Sequence, residues 1–148
     1  MTLLQHKITC PLPEINQVTR WLIQVTQQHE KEIEELNYIF CSDDYLYQLN
    51  KQYLNHDSLT DVITFDLSEQ SQDVIIGEAY ISVDRVKENA KQFDAIFTYE
   101  LLRVMVHALL HLLGYKDETP EEKEQIHALE DYWIGKLRSK ESDLFENK

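Results

Sequence analysis

The chain is poor in cationic residues, in cysteine and in long apolar runs, and each scarcity removes a class of protein. Against 27 aspartates and glutamates stand 14 lysines and arginines, a formal net charge of −13. Nucleic-acid affinity ordinarily comes from lysine and arginine displacing counterions, so composition alone argues against a polynucleotide partner. Cys10 and Cys41 form no Cys-x-x-Cys motif, and the expectation for both is a reduced thiol. No run of about eighteen apolar residues exists, and Met1 to His6 lacks a signal-peptide pattern. The expected location is therefore the cytoplasm, without membrane contact. Repeats, low-complexity tracts and interdomain linkers are also missing; Ser68 to Asp73 reads as a polar loop. With 148 residues and 43% hydrophobic content, residues 1–148 are read as a single domain with a sizeable core.

What the chain does have is concentrated in Val106-His107-Ala108-Leu109-Leu110-His111-Leu112-Leu113-Gly114-Tyr115-Lys116-Asp117. Two histidines four apart on a helix project two imidazoles from one face, the geometry a divalent metal takes from a helix. Thr98 to Leu113 reads as one helix, with Thr98 as N-cap and Gly114 as its stop. Its polar side chains beyond the cap are Glu100, Arg103, His107 and His111. At 100° per residue these fall within an arc of roughly 80°, so a mostly apolar helix carries one polar stripe. Buried polar groups need partners or a purpose, and a stripe ending in two imidazoles points to a pocket.

A third ligand has to come from beyond Gly114. Thr119-Pro120-Glu121-Glu122 has the form of a capping box with proline at the first helical position, so the next helix starts at Pro120. Only Tyr115 to Glu118 remain as connector, a turn short enough to fold Asp117 beneath His111. An aspartate just before a helix is equally often a turn former. His127 on the following helix is the rival ligand, against the alternative of an ordinary partly buried helical histidine.

Elsewhere the patterning mixes helices and strands. Leu3 to Thr9 reads as a strand, Pro13 to Lys31 as a helix, Leu36 to Cys41 as a strand, and Ser42-Asp43-Asp44 opens a helix through Tyr53. Asp61 to Leu67 and Val74 to Ser82 read as antiparallel strands joined by the polar loop. Val83 to Phe93 is a helix capped by Ser82, and the last helix runs from Pro120 to about Leu137. The expected class is α+β, with helices packed on a sheet of about four strands.

These residues carry a resemblance. His107, Leu110, His111, Leu112, Gly114 and Tyr115 match in register the His-Gly-x-Leu-His-Leu-x-Gly-Tyr-Asp-His signature of the YbeY family of bacterial rRNA-maturation endoribonucleases. Asn50-Lys51-Gln52-Tyr53, Thr60-Asp61-Val62-Ile63-Thr64-Phe65 and Gly77-Glu78 resemble the family's other segments, in order and spacing. The resemblance implies the same fold with the His-x3-His helix central, one Zn2+ per chain and a single-strand-specific endoribonuclease. It also implies a role in small-subunit rRNA maturation and ribosome quality control, with ribosomal RNA and ribosome or small-subunit proteins as partners. Three positions depart from the signature: the third metal histidine falls on Asp117, the glycine after the first histidine is Ala108, and the arginine expected after Tyr53 is Leu54. Carboxylate for imidazole is an accepted exchange in catalytic zinc sites, so His107, His111 and Asp117 are the expected ligands. With Leu54 in place of arginine, Arg103 or Arg85 would have to supply the cation for a phosphate.

Glu78 and Glu100 are the candidate general bases, with pairing to Arg103 as the competing role of each. Asp61 is a candidate to orient a ligand histidine from behind. Lys51, Arg85, Lys87, Lys91 and Arg103 lie in segments flanking the site, where they would offset the acidic balance locally. Two other functions compete: a different metallohydrolase such as a peptidase, and a ribosome-associated binding protein with a structural metal. Helical zinc peptidases place a glutamate directly after the first histidine, where this chain has Ala108.

Overall fold

The computed structural model describes residues 2–5, 15–53, 60–68 and 73–140. In chain order the elements are β1 (Thr2–Gln5), α1 (Ile15–Gln28), β2 (Glu32–Cys41), α2 (Asp43–Tyr53), β3 (Val62–Asp66), β4 (Val74–Ser82), α3 (Val83–Gln92), α4 (Phe97–Leu112) and α5 (Pro120–Lys140). Among the described residues the strands form one four-stranded sheet in the order β1-β2-β4-β3. β1 and β4 each pair parallel to β2, and β3 pairs antiparallel to β4, matching Val62 with Ile81 and Asp66 with Gly77. The α+β class, the four strands and the antiparallel pair are as the patterning predicts.

Strand alternation divides the core in two. Leu36, Tyr38 and Phe40 of β2 and Ile75, Ala79 and Ile81 of β4 join α1, α4 and α5 in the main cluster. Cys41 and Ile63 face the other way, onto Leu46 of α2. α4 is almost wholly enclosed: Leu101, Leu102, Met105, Val106, Ala108, Leu109 and Leu110 have no exposed surface. Two side-chain-to-backbone bonds tie the layers together. The Tyr38 hydroxyl donates to the Met105 carbonyl at 2.8 Å, and the Trp21 indole donates to the Trp133 carbonyl at 2.7 Å. A buried phenol or indole needs such a partner.

Several boundaries differ from the sequence reading. α4 begins at Phe97, and the cap position expected for Thr98 falls two residues earlier, on Ile96, whose extended backbone makes no side-chain cap bond. The tight turn from α3, through Asp94 at a φ of 51°, fixes that start, and Thr98 is buried inside the first turn. α1 ends at Gln28, short of Lys31, because Glu30 adopts a φ of 58°. α5 continues to Lys140. Cys10, Pro13, Leu54 and the part of the first strand beyond Gln5 lie outside the described residues. Cys41 is fully buried; burial, followed by the charges of Asp84 and Asp43, pushes its thiol up to about 12, in keeping with the reduced thiol expected there. No single helix among the described residues is long and apolar enough to cross a membrane.

Candidate metal centre

The site is built where α4 stops. Gly114 takes a φ of 109°, a conformation that costs a side-chain-bearing residue dearly, and the Tyr115 amide turns back to the Leu110 carbonyl at 3.0 Å. Four residues later the capping box forms as the sequence predicts. Glu122 donates its amide to the Thr119 hydroxyl at 3.1 Å, and its carboxylate accepts from the Thr119 amide at 3.0 Å. The connector between these fixed points brings Asp117 under the two histidines.

Nε2 of His107 and Nε2 of His111 lie 3.0 Å apart, and Oδ2 of Asp117 is 3.3 Å from each. Ligand atoms at about 2.0–2.1 Å from a tetrahedral zinc are separated by roughly 3.3 Å, so the three atoms stand close to the edges of such a polyhedron. All three side chains are partly exposed, leaving one side open to solvent. The chemistry of the donors also fits. Nδ1 of His107 hydrogen-bonds the Glu130 carboxylate, so Nδ1 carries the proton and the Nε2 lone pair faces His111 and Asp117. Acceptor atoms converging on one point are what a cation satisfies. His107, His111 and Asp117 can therefore hold a metal ion.

Behind the ligands lies a network that the sequence reading does not include. Glu130 is 5% exposed and accepts from both His107 and, at 2.7 Å, Arg103. Arg103 also donates to the Tyr99 hydroxyl at 2.8 Å and to Asp131, with its guanidinium over the Tyr99 ring. Burial opposes the charge on Arg103, but the bonds to Asp131, Tyr99 and Glu130 outweigh it and raise the pKa. Burial likewise opposes protonation of His107; the Glu130 bond and charge, then Asp117 and Asp61, raise it overall. One signal for Glu130 was present. It sits in the apolar stripe of α5 with Ile126, Trp133, Ile134 and Leu137, a carboxylate where the helix otherwise faces the core.

The other candidates divide. Arg103 meets the ligands through Glu130, and its guanidinium is engaged by Glu130, Tyr99 and Asp131, with His127 3.4 Å away. A phosphate-binding role, the expectation for Arg103, would require these bonds to be given up or shared. Arg85, the alternative cation, is paired with Asp43 at 2.7 Å. Glu100 is 8% exposed; burial raises its pKa, against the pull of Arg103. Asp61 is likewise raised by burial and accepts from Asn89 at 3.3 Å, while Glu130 takes the direct bond to His107. His127, 65% exposed, lies beside Arg103 and Glu130 outside the convergent triad.

Glu78 belongs elsewhere. Its neighbours Gly77 and Ala79 face α4; a Cβ on Gly77 would stand 3.0 Å from the Leu112 side chain and 2.9 Å from the Phe65 carbonyl. Alternation then turns Glu78 to the opposite face of the sheet. There it accepts from Tyr80 at 3.3 Å and lines a cavity of about 460 Å³ with Tyr45, Tyr53 and Phe65. This corrects the expectation that Glu78 is a general base at the metal. Ala108 has no exposed surface, so a glutamate in that position would point into the core, which removes the geometric basis of the peptidase reading.

An α+β domain that aims two helical imidazoles and a connector carboxylate at one point defines a protein with one candidate metal site among the described residues. The sequence comparisons identify which one: the family model described as Endoribonuclease YbeY matches residues 1–138, and the chain belongs to that family. Endoribonuclease YbeY of Cytophaga hutchinsonii is 50% identical over 115 residues, covering 78% of this chain and 80% of its own length. That of Amoebophilus asiaticus is 46% identical over 123 residues, 83% of each chain. The solution structure of TM1509 from Thermotoga maritima is similar with a TM-score of 0.65 at 29% identity, covering 97% of this chain and 95% of that one.

Proposed function

We propose that the chain is a zinc-dependent endoribonuclease that cuts single-stranded ribosomal RNA during maturation of the small-subunit rRNA. Ribosome quality control, and contacts with the ribosome or small-subunit proteins, belong to the same reading. The observation that carries it is the convergence of His107, His111 and Asp117 in a chain of the Endoribonuclease YbeY family. Two imidazoles and one carboxylate form a donor set used by catalytic zinc, with a fourth position open to solvent.

A divalent ion held there would supply Lewis acidity to a scissile phosphodiester and its attacking water, and add positive charge to an acidic protein. The protein's own residues prepare that position. Glu130 keeps the His107 ring in the tautomer with Nε2 free and stabilises its orientation. Arg103 pairs with Glu130 and with the more exposed Asp131, so that the buried Glu130 carboxylate is not left without a cation. Asp117 lowers the net charge of the centre by one unit relative to a third imidazole, which favours retention of the ion and softens its pull on the phosphate. The test is cleavage of a labelled single-stranded RNA by the purified protein, with and without chelator. Chelator-sensitive internal cuts support the reading. Metal-bound protein that binds RNA without cutting it would instead identify a ribosome-associated binding protein.

A further inference from the structure

His29 and Tyr115, 86 residues apart in sequence, meet at the start of the connector that carries Asp117. His29 is held rigidly. Its amide and that of Lys31 both donate to the Thr26 carbonyl at 3.0 Å, closing α1. Its Nδ1 lies 2.8 Å from the Val25 carbonyl. A carbonyl only accepts, so Nδ1 carries the proton and Nε2 of the neutral ring is an acceptor. The Tyr115 hydroxyl donates to that nitrogen at 3.0 Å, and the rings meet edge to face with centroids 5.5 Å apart.

Tyr115 directly follows Gly114 and is also tied by its amide to Leu110. At the far end, the Glu122 carboxylate accepts from the amides of Glu118 and Thr119 at 3.1 and 3.0 Å. Only Lys116 and Asp117 lie between these clamps. The freedom that a loose connector would lose on binding a metal has therefore already been lost in folding. We infer that His29 is a positioning residue for the metal centre: acting through the Tyr115 hydroxyl, it holds the connector so that Asp117 reaches the point on which His107 and His111 converge. The inference rests on the metal reading of that triad and adds a residue from the opposite end of the chain.

The test is a zinc titration of the full chain against a chromophoric chelator. The variants are His29→Ala, Tyr115→Phe, the pair together, and Asp117→Ala with and without His29→Ala. Each of the first two is expected to weaken zinc binding about three- to tenfold, less than the roughly 10–100-fold cost of removing a group that touches a ligand directly. The pair should lose no more than the larger single effect, and His29→Ala should cost nothing further once Asp117 is alanine. In metal-free protein, amide exchange at Lys116 to Glu118 should quicken in His29→Ala while that of Leu109 and Leu110 holds. Unchanged affinity and exchange in the variants would overturn the inference, as would an equal loss in the Asp117→Ala background. Absence of zinc binding by the parent protein would refute the metal reading separately, and the exchange comparison would still decide whether His29 holds the connector.

Discussion

Glu130 is the residue on which the ligand geometry depends most, after the ligands themselves. Glu130→Gln keeps its size but removes the charge that fixes the His107 proton, and should weaken zinc binding by about 10–100-fold, read by chelator competition. His107→Ala should abolish it, whereas Asp117→His, restoring the family's third imidazole, should retain the ion. Arg103→Ala should destabilise the fold by about 3–5 kcal/mol in denaturant unfolding, because it strands Glu130, which is 5% exposed, without a cation. A fall in metal affinity should accompany it. Were Arg103 a phosphate-binding group instead, KM for RNA would rise with metal affinity intact. Glu100 gives the pH test. Burial raises its folded pKa above the unfolded value, so its stabilising contribution is complete below the ordinary carboxylate pKa, about 4.3, and is lost as pH rises through the folded value. Glu100→Gln should therefore raise Tm at neutral pH, and the gain should vanish below about pH 4.

At the scale of elements, the connector is held by conformational chemistry that simple substitutions remove. Thr119→Ala deletes the cap of α5 and should cost about 1 kcal/mol of stability, and Gly114→Ala, at a φ of 109°, about as much again. Both should weaken zinc binding, since both loosen the path to Asp117. This part of the molecule was legible in the sequence because its determinants are local: a glycine stop, a capping box and a four-residue gap leave Asp117 little choice of position. β3 and β4 were equally legible from alternation. The start of α4 was not, because the turn from α3 overrides the capping preference of Thr98. Glu130 left one trace, a carboxylate in the apolar stripe of α5, but its partner was out of reach, as were Asp131 and His29: they approach the site from α5 and from the end of α1, and no spacing along the chain encodes which helices pack together. Glu78 shows the converse limit, a position matched to the family signature that the alternation of β4 turns to the far side of the sheet.

For the molecule as a whole, a net charge of −13 and a ribonucleic acid substrate have to be reconciled. Arg85 and Arg103 are both engaged in ion pairs, so neither adds a free cation to an RNA groove. Of the cations flanking the site, the exposed Lys51, Lys87 and Lys91 remain, so few phosphate contacts are expected and the salt dependence should be shallow. Between about 50 and 200 mM salt, KM for a short single-stranded RNA should rise less than about tenfold, against the roughly 10³–10⁵ seen for proteins with six to ten phosphate contacts. A metal ion would add positive charge at the site itself, and activity should follow its occupancy. The direct measurement is cleavage of a labelled single-stranded fragment of small-subunit rRNA by zinc-loaded, chelator-stripped and zinc-restored protein, with Asp117→Ala treated alike. The account predicts internal cuts that disappear with chelator, return with zinc in the parent protein and stay at least tenfold lower in Asp117→Ala at the same zinc concentration. Cleavage that persists in stripped protein, or that Asp117→Ala matches, would contradict it.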